Sequence, residues 1–478
     1  MAPPPISSPI LRDLPGWRDP IELLARARRR RRPALLCSGA GHPSTGRFSI
    51  LAADPWLTLT WKAGAGEIRG PDGLEPVAGG DPFDLIEEIR GRAHCAAAPP
   101  WPFSGGAIGW ISYDTGRAVE RLPERAIDDR PFPWVDLSFY SWAINWDHQT
   151  GKWAALASGA PGGPPAERLC AEAASWALGR GGGSLEPPAR PPAPWCPPEL
   201  SLGRDEYMAG VERIRGLIGE GECYQVNLTR RITAAAPPDP LRLFRELVRT
   251  NPAPFAAWVS GSDGLLVGSS PERFLRLAGG RVESRPIKGT ARRSPDPCAD
   301  REAAARLGAS GKNRAENVMI VDLVRNDLGR VCRPGSVRVE GLCEVESFEG
   351  LHHLVSTISG ELDPGVGPMD TVRALFPPGS MTGAPKIRAM EIIEEIEPVR
   401  RGPYAGAAGY ISASGDLDLS VIIRSFLISE GRADLQVGGA VVADSEPEAE
   451  FEESVLKAER ALEALKLAVG VGSVRGSR

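Results

Sequence analysis

The sequence predicts an α+β fold, a large and mostly antiparallel β-sandwich with helices packed outside it. Strand-like runs recur along the chain and are joined in pairs by short turns, which suits antiparallel neighbours. From about residue 205, helical periodicity alternates with those pairs, and its apolar stripes need a sheet face to cover. At 478 residues the chain is long enough to bury a large core without disulfide staples.

In chain order, residues 20–32 open with Ile21, Leu23 and Leu24 and run into Arg28 to Arg32 before Pro33, a helix whose cations suit its negative end. Strands are predicted over 34–37, 47–52, 56–61, 107–112 and 137–145, making residues 1–157 a sheet-rich N-terminal half. Residues 158–200 read as a Gly/Pro-rich linker around one alanine-rich helix at 166–178. Residues 201–468 form a second domain. Its helices are predicted over 205–220, 239–250, 300–311, 314–327, 384–396 and 446–467. Its strands are 223–233, 256–260 with 264–268, 273–277 with 281–285, and 408–412 with 418–428. Residues 469–478 are expected to be a disordered tail.

Composition narrows the function. With 56 basic and 61 acidic residues the net charge is −5, which excludes nucleic-acid binding by global positive charge, so an anionic ligand must meet local cations. The eight cysteines are scattered and form no C-x-x-C pair, which gives neither a zinc site nor a disulfide framework and suits a reducing compartment. No stretch reads as a signal peptide or membrane span, so a cytoplasmic protein is expected.

Several segments hold candidate chemistry. The hairpin from Glu272 to Lys288 turns at Gly279-Gly280, so residues whose numbers sum to about 560 should face one another, Glu272 and Lys288 among them. That pair is either an exposed cross-strand ion pair or an acid beside a nucleophilic amine. Glu316 begins an apolar helix, where an acid ordinarily favours the helix dipole. The last helix opens with Ser445-Glu-Pro-Glu448, read as a capping box, with an apolar seam of Phe451, Val455, Ala458, Leu462 and Leu465. Glu450 and Glu453 share a face beside that seam, either as a solvated acidic face or, with a third carboxylate, as Mg²⁺ ligands. Lys457 follows Glu453 by four and pairs with it. His352 and His353 are adjacent. The glycine-rich stretches around Ser380 to Gly383 and Gly438-Gly439 offer backbone N–H groups to an anion, whereas Gly308-Ala-Ser-Gly-Lys312-Asn has the wrong spacing for a nucleotide phosphate loop.

Together these segments resemble the chorismate-utilising enzymes, the family of anthranilate synthase component I, aminodeoxychorismate synthase component I and the isochorismate and salicylate synthases. The resemblance covers essentially all of residues 200–467. It is carried by Gly221-Glu-Cys-Tyr-Gln225-Val-Asn-Leu, Ser270-Pro-Glu-Arg-Phe, Pro286-Ile-Lys288-Gly-Thr290 and Met319-Ile-Val-Asp-Leu-Val-Arg-Asn-Asp. His353-Leu-Val-Ser, Gly383-Ala-Pro-Lys, Ile423-Arg424 and Glu450-x-x-Glu453 extend it. The N-terminal Leu35-Leu36-Cys37-Ser38 and the segment Gly105 to Asp114 are similar to the family's other half. Anthranilate synthases resemble Pro-Ile-Ala-Gly-Thr where this chain has Lys288, the form of the aminodeoxychorismate branch. Gln225 stands where the isochorismate and salicylate enzymes carry a water-activating lysine.

The resemblance implies amination of chorismate to 4-amino-4-deoxychorismate for 4-aminobenzoate and folate synthesis. It makes Lys288 the covalent nucleophile, Glu272 the general acid and His353 a further catalytic residue. It implies Mg²⁺ held by Glu316, Glu450 and Glu453, and places Thr290, Tyr404, Arg424, Gly438, Gly439, Lys457, Gln225 and Ser380 around the substrate. A tryptophan site would comprise Leu36, Ser38, Arg47, Pro254 and Phe255, although the family's Leu-Leu-Glu-Ser motif lacks its glutamate here. No G-x-C-x-G nucleophile loop occurs, so ammonia is expected from a separate glutamine amidotransferase subunit. The alternatives are an anthranilate synthase-like or other chorismate-aminating enzyme, and a non-enzymatic tryptophan-binding regulatory protein.

Overall fold

The computed structural model describes residues 8–38, 45–179, 195–348 and 350–470. Two twelve-stranded sheets pack face to face, and all pairings between their strands are antiparallel among the described residues. The first sheet runs from Ile10–Asp13 through Lys152–Ala157, Trp142–Asp147, Phe48–Ala52 and Ala34–Cys37 into Phe255–Ser260. It continues through Leu265–Ser270, Ser425–Ser429, Arg432–Val441 and Gln225–Ala235. The second runs from Ile287–Arg292 through Leu351–Glu361, Arg281–Arg285, Arg273–Ala278, Leu417–Val421 and Ala407–Ser412. It then passes into Gly106–Ile111, Val135–Tyr140 and Leu57–Lys62.

Alternation along the strands sorts side chains into layers. Ile50, Ala143, Val259, Ile108, Trp110 and Ala408 fill the space between the sheets. The outer face of the first sheet is covered by helices Pro20–Ala27, Ala166–Leu178, Pro240–Thr250 and Pro447–Ala468. Helices Pro82–Arg92, Gly311–Gly329 and Pro368–Leu375 cover the second. The antiparallel sandwich with external helices is therefore observed.

The predicted division at 158–200 does not divide the sheets. Ala34–Cys37 pairs with Phe255–Ser260, and Gly106–Ile111 pairs with Ala407–Ser412, so each sheet is built from both halves of the sequence. The helix within the predicted linker packs on the first sheet through Cys170, Ala173, Ala174 and Ala177. Residues 180–194 of that linker and 471–478 of the predicted tail lie outside the described residues.

Two runs predicted as single strands are each two strands in different sheets. The run 137–145 breaks at Ser141 between Val135–Tyr140 and Trp142–Asp147, and 418–428 breaks between Leu417–Val421 and Ser425–Ser429. In the second break Arg424 adopts φ 50°, an unusual conformation for a non-glycine residue, and it lines a cavity of about 730 Å³. The first helix is also shorter than predicted. It is capped by Asp19, which accepts from Ile21 and Glu22 N–H groups, a contact worth about 1 kcal/mol, and it ends at Ala27. Arg28, Arg30 and Arg32 beyond it pair with Asp239, Asp54 and Asp136, so this basic run is tied down within the fold.

Candidate active site

A cavity of about 730 Å³ opens where the two sheets meet helices Gly311–Gly329 and Pro447–Ala468. Strand Gln225–Ala235 pairs with Arg432–Val441 so that Asn227 lies opposite Ala440 and Thr229 opposite Gly438. Asn227 and Thr229, two apart, both face the cavity. Side chains are excluded at Gly438, where a Cβ would come within 2.0 Å of the Leu228 carbonyl oxygen. Beneath this wall Arg401 and Glu397 form a buried ion pair at 2.7 Å. Glu397 accepts from the Thr229 N–H and hydroxyl, while Arg401 donates to the Asn227 and Met381 carbonyls, which fixes the wall.

The predicted register between Glu272 and Lys288 is not observed. The hairpin ladder pairs Leu277 with Val282 and, after an irregularity, ends at Arg273 opposite Arg285. Pro286 follows, and Lys288 belongs to the next strand, Ile287–Arg292, which pairs with Leu351–Glu361. Both residues nevertheless line the same cavity, and no ion pair joins them. Lys288 Nζ donates to the Ser380 carbonyl at 3.2 Å and to Asn227 Oδ1 at 3.4 Å. Burial lowers its pKa, against the opposing pull of Glu316. Glu272 is 4% exposed, and burial raises its carboxyl to about 7 despite hydrogen bonds from the Ser380 hydroxyl and Ile287 N–H. The exposed cross-strand ion pair is thereby excluded.

His353 lies opposite Thr290 in the ladder, and its Nδ1 is 2.9 Å from the Thr290 hydroxyl. Burial, then Arg424 and His352, lower its pKa to about 3, which leaves a neutral imidazole. Its neighbour His352 projects the other way, to Ser347 and Asp300. Arg424 donates to Asn251 Oδ1 at 3.2 Å and, through burial and then Arg460, has its pKa lowered to about 10. Tyr404, Ser380, Gly439 and Lys457 also line the cavity. Gln225 does not. It is fully buried, and neither amide atom has a hydrogen-bond partner among the described residues.

The carboxylates come from two helices. Glu316 lines the cavity one turn after Lys312 on Gly311–Gly329, and burial raises its pKa. The last helix departs from prediction. Its N-cap is Glu446, its buried face includes Glu450, Ser454, Ala458, Ala461 and Leu465, and Val455 is exposed. Ser445 does not cap it; its hydroxyl donates to Glu450 Oε1 at 2.7 Å. Lys312 Nζ reaches the same oxygen at 3.0 Å, while Lys457 pairs with Glu453 at 2.7 Å and donates to the Gly438 carbonyl at 2.8 Å. Lysine 457 lowers the pKa of Glu453.

Glu450 Oε2 is buried without a partner among the described residues. A Cβ at Gly439 would lie 3.0 Å from it and 3.8 Å from both Glu453 Oε1 and Lys457 Nζ, so the missing side chain leaves a hollow edged by two carboxylate oxygens and one ammonium. The oxygens are of the type that suits Mg²⁺. Among the described residues, no group of three His, Cys, Asp or Glu side chains is arranged to hold an ion.

The pattern of the family described as chorismate binding enzyme matches residues 64–463. The chain belongs to the chorismate binding enzyme family. It is 40% identical over 443 residues to aminodeoxychorismate synthase component 1 of Klebsiella aerogenes, covering 90% of this chain and 93% of that one. It is 36% identical over 453 residues to anthranilate synthase component 1 of Mycolicibacterium smegmatis, covering 91% and 86%. Among solved structures, anthranilate synthase component I from Streptococcus pneumoniae matches with a TM-score of 0.77 at 31% identity, covering 88% of this chain and 92% of that one.

Sequence reasoning missed other residues of this family member's cavity. Lys312 stands in a glycine-containing stretch whose spacing does not fit a phosphate loop, so its sequence context gives no pointer to this cavity. Asn227, Asn251, Asn313 and Arg460 carried no spacing signal, because their neighbours come from other elements. A separate cavity of about 460 Å³ is lined by Leu36, Arg47, Pro254 and Phe255 of the expected tryptophan set, together with Tyr410 and Asp418. Ser38 lies beside it rather than on its lining, its hydroxyl bonded to the Gly46 carbonyl. No helix among the described residues is long and apolar enough to cross a membrane.

Proposed function

We propose that this chain is an aminodeoxychorismate synthase component 1, a transferase that converts chorismate and ammonia to 4-amino-4-deoxychorismate. The observation that carries the reading is the Lys288 amine, held by Asn227 and Ser380 in a cavity shared with Glu272. A buried amine of lowered pKa is a nucleophile, and a buried carboxyl raised to about 7 is an acid that keeps its proton near neutrality. Similarity to curated aminodeoxychorismate synthases at 38–41% identity supports the same branch.

In this reading the Lys288 amine adds to ring carbon C2, both ring double bonds shift along the ring, and the C4–O bond breaks, the 4-hydroxyl leaving as water on taking the Glu272 proton. Ammonia then adds at C4, both double bonds shift back as the C2–N bond breaks, Lys288 leaves as a free amine, and the new C4 ammonium returns a proton to Glu272. Chorismate is a dianion, and Arg424, Lys457, Tyr404 and the N–H groups near Gly438 and Gly439 anchor it. Asn251 orients Arg424. Neutral His353 contributes a hydrogen-bonding wall through Thr290. Glu316, Glu450 and Glu453 would hold Mg²⁺, which when bound supplies positive charge for the ring carboxylate. Ammonia is delivered by a separate amidotransferase component, and the second cavity would bind tryptophan. The setting is the cytoplasm.

Incubating the purified chain with chorismate, Mg²⁺ and ammonium and identifying the product by mass spectrometry tests the reading. 4-Amino-4-deoxychorismate is expected. Anthranilate, which fluoresces directly, would move the chain to the anthranilate branch, and stoichiometric binding without turnover would revive a regulatory protein.

A further inference from the structure

We propose that Lys312 is a built-in counterion for Glu450 that an entering divalent cation must displace or overcome, so that this lysine sets how tightly the cation binds. The inference rests on the reading of Glu316, Glu450 and Glu453 as the cation-holding set.

Glu450 is 1% exposed, and its two oxygens have different surroundings. Oε1 accepts from both Lys312 and Ser445, whereas Oε2, beside the hollow at Gly439, has no partner among the described residues. A carboxylate this buried needs a compensating charge, and Lys312 is its ion-pair partner. Lys457, which comes from the last helix rather than from Gly311–Gly329, is held differently. Lys457 is bonded to both Glu453 and the Gly438 carbonyl, whereas Glu450 is the hydrogen-bond acceptor found for Lys312 among the described residues.

Lys312 also reaches solvent. Its side chain is 47% exposed, and a flexible four-carbon stem can carry its ammonium out to water at small cost. Serine 445 would keep Glu450 in place when the lysine leaves. A divalent ion at the Gly439 hollow would sit close to an ammonium already spending its charge on the same carboxylate. Two positive groups competing for one acid at such range repel strongly in a partly buried site. Removing the lysine charge should therefore tighten cation binding.

The test uses the full chain without chorismate and reads free Mn²⁺ by electron paramagnetic resonance during titration. Lys312→Met should lower the Mn²⁺ dissociation constant by about tenfold or more, Lys312→Arg should stay near wild type because it keeps the charge, and Glu450→Gln should weaken binding. An unchanged or weaker affinity in Lys312→Met, with Glu450→Gln still impaired, overturns the counterion role and leaves the cation-holding set standing. Binding unaffected by Glu450→Gln, or absent from both wild type and Lys312→Met, overturns the set and the counterion role together.

Discussion

Lys288 and Glu272 are joined through Ser380 rather than to each other: the Ser380 carbonyl accepts from Lys288 Nζ, and its hydroxyl bonds the Glu272 carboxylate. A direct ion pair would pull the amine toward its charged form and the acid toward its ionised form. Here burial acts in the opposite sense on both, lowering the Lys288 pKa and raising that of Glu272 to about 7. The serine keeps the two close without letting them neutralise each other as ions. A free amine and a protonated acid are the forms that addition and hydroxyl departure require.

Replacing Lys288 with alanine should reduce 4-amino-4-deoxychorismate formation by a factor on the order of 10³ or more while the chain stays folded. Product assays with chorismate and ammonium, alongside circular dichroism, measure both. Wild-type-like turnover would rule out covalent catalysis by this lysine. The substitution also recreates Pro-Ile-Ala-Gly-Thr, so a trace of anthranilate is worth seeking in the same reactions.

Glu272 also ties the site to stability. Its carboxyl titrates at about 7 when folded, against the ordinary 4.5, so between those values the folded chain holds a proton that the unfolded chain releases. The stabilisation from that proton is complete below about 4.5 and is lost as pH rises through about 7. Above that the buried carboxylate is a cost. Glu272→Gln should therefore be more stable than wild type at pH 8, by roughly 1–3 kcal/mol, with the difference shrinking at pH 5. Urea unfolding at the two pH values measures it, and equal differences at both would show that burial does not perturb this group.

What the sequence made legible follows periodicity and motif. The antiparallel pairs with short turns gave the sandwich, and most helices fall within a few residues of their predicted bounds because caps such as Asp239 and Ser310 mark their starts. The sheet-switching runs at Ser141 and Arg424 were hidden, since a continuous apolar run looks the same whether it stays in one sheet or crosses to the other. Glu272 and Lys288 were paired for a geometric reason that failed at Pro286, yet tertiary packing brings them together. The last helix keeps its predicted bounds and most of its predicted seam, with Ala458 and Leu465 buried and Phe451 and Leu462 packed on the core, but Val455 is exposed and Glu450 is buried instead. Its buried face carries Glu450 and mostly small residues, with Leu465, and hydrophobic periodicity cannot see a buried carboxylate.

In the proposed reading Glu316, Glu450 and Glu453 share one divalent cation, whose charge offsets the repulsion of carboxylates brought together. Activity should disappear with EDTA and return with Mg²⁺, and Glu453→Gln should raise the Mg²⁺ concentration needed for half-maximal rate. Unchanged activity in chelator would remove the metal from the reaction. Because Lys457 loses its charged partner in that variant and keeps only the Gly438 carbonyl, chorismate KM should be measured alongside, to separate weaker metal binding from a displaced lysine.

The nitrogen source can be argued from the thiols. Glutamine hydrolysis by an amidotransferase needs an accessible, activated cysteine thiolate. Cys37, Cys95, Cys170, Cys223, Cys332 and Cys343 are buried, and burial pushes Cys37 up to about 12. Cys196 and Cys298 are exposed, but neither sits in a glycine-flanked nucleophile loop, since Trp195 and Pro197 flank the first and Pro297 and Ala299 the second. The isolated chain should therefore make product from ammonium salts, faster at alkaline pH where more NH₃ is present, and should use glutamine only when an amidotransferase component is added. Measuring glutamate release from glutamine by the isolated chain is the direct check. Release in step with product, after contaminating glutaminase has been excluded, would show that one of these thiols does chemistry its surroundings argue against.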